Sequence, residues 1–162
     1  MDHDIAKFQE VAYFVGALAH GAEKNLGKGS LSICNLAGKK FGMEAVAGVD
    51  QTSDPIKAVG ILQEALTRRG IFWEFEPFSG ERADPVEREG DKYKLRLVFR
   101  TCMVRNALNR YAHDQKLSLC YMSHGVFAGA MEKVMPNTIC HLEITHAGAN
   151  ACIKELIWEE KK

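Results

Sequence analysis

Net charge is the first thing this chain lacks. Its 162 residues hold 21 lysines and arginines against 21 aspartates and glutamates, so the formal net charge is zero. That balance removes the electrostatic footprint of a nucleic-acid binder or an anionic-membrane binder. A chain without self-repulsion is also open to self-association, so a homodimer is expected. Long apolar runs are missing as well. No stretch approaches the roughly 20 apolar residues of a membrane span. The start, MDHDIAKFQE, is acidic where a secretory signal would need a basic segment and then an apolar one, and the expected location is the cytoplasm. Cysteine is odd in number, at five, and irregularly spaced, which speaks for thiols, metal ligands or a nucleophile rather than a disulfide framework. No GxSxG or P-loop pattern occurs. The glycines at 27, 29, 42 and 48 form no dinucleotide fingerprint, because no strand leads into them. There is no internal repeat, and only residues 77–91 are compositionally biased.

What is present fits one domain over residues 1–162. Hydrophobic residues make up 46%, enough for a sizeable core. Helical spacing of apolar residues covers 5–24, 31–41, about 55–69, 102–113 and 118–133. Asp54-Pro55 is a strong helix start. Strands are expected at 71–76, 93–100, 138–145 and 151–158, with 77–91 as an exposed loop or wide hairpin. In the helix over 118–133, Gly125 and Gly129 lie four apart, so a neighbouring backbone can approach closely. The order predicts an α+β domain: an antiparallel sheet of about four strands, helices packed on one side, two or three of them preceding the sheet.

Chemistry concentrates between Cys120 and Cys152, which holds three of the five cysteines and three of the six histidines. Cys120 lies near a helix start, where the dipole lowers a thiol pKa. His124 follows one turn later on the same face. His146 and Cys152 flank a turn with Gly148 and Asn150, and Glu143 ends the incoming strand. Two thiolates, an imidazole and a carboxylate would make a closed four-ligand set for zinc. The competing reading treats Cys140 and Cys152 as small core hydrophobes and His146 as a turn residue. Strand alternation puts Cys140, Leu142 and Ile144 on one face and His141 and Glu143 on the other, so Cys140 reads as core.

Segment 118–158 resembles the end of the 4-vinyl-reductase-type small-molecule-binding domain. The resemblance rests on Cys120, Gly125 and Gly129 in a C-x4-G-x3-G helix, then Glu143, His146, Gly148 and Cys152 around the last turn. His146 stands where that family has cysteine, and the interval to Cys152 is shorter. Element order over the rest is compatible with this family and with the related TRAPP-subunit-like fold. The resemblance implies a zinc site of Cys120, Glu143, His146 and Cys152 with a mainly structural role. It also implies a neighbouring hydrophobic pocket for a small apolar or aromatic molecule, and a dimer through the N-terminal helices. Phe72, Trp73, Phe99, Tyr121, Phe127 and Met131 are candidate lining residues, although aromatics and methionines at such spacing also make ordinary core. The expected function is a ligand sensor or carrier. An enzyme, with Cys102 or Cys120 as nucleophile or with zinc-bound water, is the alternative. No nicotinamide or flavin motif supports a reductase. A scaffold role, with the helices as an interaction face, is a third reading.

Overall fold

The computed structural model describes residues 3–80, 84–102, 104, 116–148 and 150–161, with the backbone alone for residues 3–9. Three helices open the chain: α1 (His3–Leu26), α2 (Lys28–Ala45) and α3 (Pro55–Arg68). Strands β1 (Glu74–Pro77), β2 (Val86–Glu89) and β3 (Lys92–Thr101) follow. Helix α4 (Ser118–Val134) then leads into the hairpin of β4 (Thr138–Ala147) and β5 (Cys152–Glu160). The strands form one antiparallel sheet in the order β1-β3-β5-β4, with β2 also pairing with β3. β1 meets residues 97–101 of β3 and β2 meets residues 92–95, so the two follow one another along the same edge. This is the expected α+β class. β2 lies inside the segment expected to be an exposed loop or a wide hairpin, and it pairs with β3 as a hairpin; Val86-Glu87-Arg88-Glu89 has a single apolar residue and no alternation that would mark a strand. The helix expected over 102–113 lies outside the described residues, apart from Cys102 and Val104.

Local chemistry explains the helix ends. The Asp54 side chain accepts hydrogen bonds from the Ile56 and Lys57 N–H groups at 2.8 and 3.2 Å, and Pro55 occupies the first helical position. At the start of α4 no local side chain caps the helix. Glu23 of α1 does so from a distance, accepting from the Ser118 N–H at 2.9 Å and from its hydroxyl. A carboxylate there meets both unsatisfied donors and the positive helix end.

Glycine decides how α2 and α4 cross. Gly38 and Gly42 of α2 face Gly125 and Gly129 of α4. A methyl group at Gly38 would come within 2.0 Å of the Met122 carbonyl oxygen, and one at Gly125 within 2.0 Å of the Asn35 carbonyl oxygen. The buried face of α2 is accordingly Ser30, Gly38, Gly42 and Ala45 rather than its larger apolar residues.

α4 packs on the sheet face that carries Leu95, Leu97 and Phe99 of β3 and Cys152, Leu156 and Trp158 of β5. Phe75, Phe99 and Phe127 meet there with ring centroids 5.1 to 5.8 Å apart. Charged pairs mark the opposite face, among them Arg96–Glu155 at 3.1 Å.

Candidate functional site

Two of the predicted ligands, Cys120 and Cys152, come together, and Cys102 joins them. All three thiols are buried, and Cys102 and Cys120 pack with Val104, Leu119 and Ile144. Burial raises the Cys120 pKa, and the neighbouring Cys102 and Cys152 raise it further against the lowering effects of the Lys116 backbone and the Lys154 ammonium. The helix-dipole activation expected for Cys120 is therefore overridden. Desolvation of a buried thiolate costs more than one helix end returns.

Lys154 projects into the same region from β5. It is buried, with its ammonium 4.4 Å from the centre of the Phe99 ring. His124, one turn after Cys120, is also buried. Burial, helped by Lys154, holds its pKa down at about 3, so the ring is neutral near pH 7. Its Nε2 is buried without a hydrogen-bond partner among the described residues.

The other two predicted ligands lie elsewhere. In the β4–β5 register Ala147 is opposite Cys152, whereas Glu143 is opposite Glu155. Directly opposed residues share a face. Glu143 therefore projects from the face away from α4; its side chain is 61% exposed and lies 3.5 Å from His141. A bulge between Ile144 and His146 shifts the pairing, and His146 is exposed. Cys120, Glu143, His146 and Cys152 thus do not form one coordination sphere. Among the described residues no group of three or more His, Cys, Asp or Glu is arranged to hold a metal ion. Cys140 is a core residue, as alternation predicts, with its thiol pushed up to about 11, chiefly by burial.

The candidate pocket residues divide in the same way. Trp73, Phe99, Phe127 and Met131 are buried in the main core, while Phe72 is exposed. Trp73 Nε1 is likewise buried without a hydrogen-bond partner among the described residues. Trp73 and Phe75 are buried between the exposed Phe72, Glu74 and Glu76, so the indole lies on the α4 side of the sheet.

Tyr121 borders an open cleft of about 710 Å³ between α2, α4 and the edge of β4. Tyr121, His124 and Ala128 form its floor. Asn35, Leu36 and Lys39 of α2 form one wall, and the consecutive residues Cys140 to Ile144 form the other. Lys39 pairs with Glu132 at 2.8 Å, and the same carboxylate oxygen accepts the Cys140 N–H at 3.0 Å. A second cleft, of about 1070 Å³, lies at the opposite end of the sheet, beside the stacked Tyr93 and Trp158 rings. Sequence reasoning missed the inward-facing Lys154 and the open β4 edge. Alternation along β5 could have placed Lys154 with Cys152 and Leu156, since all three are two residues apart.

No helix among the described residues is long and apolar enough to cross a membrane. No protein-family model and no curated protein matches the chain. A solved structure does: the phenol-responsive sensory domain of the transcription activator PoxR, with phenol, superimposes with a TM-score of 0.62 at 12% identity, over 91% of this chain and 74% of that one. The chain shares the fold of that sensory domain.

Proposed function

We propose that this chain is a small-molecule sensing domain that takes up an aromatic or otherwise apolar molecule between α4 and the sheet, and that it works as a homodimer. The observation that carries the reading is the indole N–H of Trp73, which has no hydrogen-bond partner among the described residues and is buried in the main core of a fold shared with a phenol-responsive sensory domain. Buried donors are rarely left without a partner, since the desolvation cost is about 1–3 kcal/mol. A ligand oxygen accepting from Trp73 Nε1 would recover that cost, while the surrounding phenylalanines supply apolar contact. The Cys120 thiol does not favour the enzymatic alternative, because burial raises its pKa, the opposite of what a nucleophile requires.

Thermal unfolding with a panel of phenol, substituted phenols and non-hydroxylated benzenes tests the proposal. A true ligand at about 100 times its Kd should raise Tm by roughly 5–10 °C. Trp73→Phe should keep the fold and weaken a hydroxylated ligand by about fivefold, the worth of one hydrogen bond. A panel in which nothing shifts Tm, or a Trp73→Phe protein that binds phenols as well as the parent, overturns the reading.

A further inference from the structure

We propose that the cleft between β4 and α2 binds an extended peptide segment of a partner protein as an added strand on β4, a segment with alternating apolar side chains and an acidic residue at the end near Lys116. β4 is the last strand of the sheet and has no strand on its outer side among the described residues. Five consecutive residues, Cys140 to Ile144, border the cleft. Neighbouring residues of a strand point to opposite faces, so a cavity bordered by all of them lies along the strand's edge, where main-chain groups are presented.

One contact fixes which groups those are. The Cys140 N–H leaves the sheet edge to meet the Glu132 carboxylate. By the two-residue alternation of an antiparallel ladder, Leu142 and Ile144 present the next outward N–H and C=O groups, inside the cleft. The regular edge then stops at the bulge between Ile144 and His146. From Cys140 to Ile144 the edge is about 13 Å long at the usual strand rise, room for some five residues of a partner. A compact molecule cannot satisfy donors and acceptors repeated at that interval, whereas a peptide backbone can.

The other walls set the side-chain chemistry. Leu36 on α2 is exposed, and Ala128 on the floor is apolar. His124 brings to the same floor a buried Nε2 that has no hydrogen-bond partner among the described residues. The charge of Lys39 is offset by Glu132, whereas Lys116 has no ion pair with a described residue and offers the cleft a cation. An acidic residue complements it.

The test uses an array of fluorescein-labelled heptapeptides with valine, leucine or isoleucine at alternate positions and one terminal aspartate. Each is compared with its scrambled sequence and with a version N-methylated at alternate main-chain nitrogens. Fluorescence anisotropy should find members that saturate, with at least tenfold loss on N-methylation and at least tenfold loss in Leu36→Glu and Lys116→Glu. The Leu142 and Ile144 amides should shift in NMR spectra of the complex. If no member binds better than its scrambled form, or N-methylation has no effect, the proposal is overturned. Displacement of a bound peptide by excess phenol would overturn it too, because the cleft would then be the small-molecule site.

Discussion

His124 is a base kept from its proton. Unfolded, the ring titrates near the ordinary value of 6.5; folded, burial and then the Lys154 charge hold it at about 3. Between those values the unfolded chain binds more protons than the native one, so stability falls as pH falls. The contribution is fully present above pH 6.5 and is lost on acidification, by on the order of 1.4 kcal/mol per pH unit until the ring becomes charged or the site opens. His124→Gln removes the titration. Urea denaturation of the parent and His124→Gln proteins between pH 7.5 and 4.5 should show a flatter slope for the variant. Parallel slopes would mean that His124 does not titrate as its burial dictates. The position of this residue was legible, since Cys120 and His124 are one helical turn apart. Its burial was not, because that is set by tertiary packing that brings Lys154 of β5 to the same region.

At the scale of elements, the crossing of α2 and α4 is the strictest demand the sequence meets. Gly38→Ala should destabilise by about 3 kcal/mol or more, because the added methyl meets the Met122 carbonyl at 2.0 Å and only separation of the helices relieves it. Gly60→Ala is the control. Gly60 is exposed in α3 with nothing within 4 Å of an added methyl, and alanine there should stabilise by about 0.5–1 kcal/mol. Equal effects in chemical denaturation would contradict the close crossing. The spacing of Gly125 and Gly129 announces a close approach, yet nothing in the sequence says that Gly38 and Gly42 are the partner. That pairing is a tertiary choice. The zinc site expected around the last hairpin shows the same limit. Alternation puts Glu143 opposite in facing to Cys140, but the facing of Cys152 depends on the β4–β5 register and its bulge, and these separate Glu143 and His146 from the thiols. β2 was hidden for a simpler reason: a half-exposed, charged four-residue strand has no hydrophobic period.

Across the whole molecule, α1 is the element whose sequence and surroundings disagree most. Its apolar periodicity predicts a buried stripe, but the helix turns its small residues, Ala12, Gly16 and Ala19, inward and leaves Val11, Phe14 and Leu18 outward. Phe14 is 80% exposed and Leu18 71%. Val11, Phe14 and Leu18 follow i, i+3, i+7 spacing, so they form one continuous stripe. Ile33 of α2 is exposed as well, and the chain has no net charge to keep copies apart. Apolar surface on this scale is costly in water and marks an interaction face. A second copy using the same stripe would bury both sets at once, as a two-fold interface requires. Light scattering coupled to gel filtration should give twice the 18.0 kDa chain mass for the parent protein. Phe14→Glu and Leu18→Glu, each placing a charge in the centre of the stripe, should give a monomer with unchanged helical circular dichroism. A parent that runs as a monomer, or a dimer indifferent to both substitutions, would leave α1 without this role.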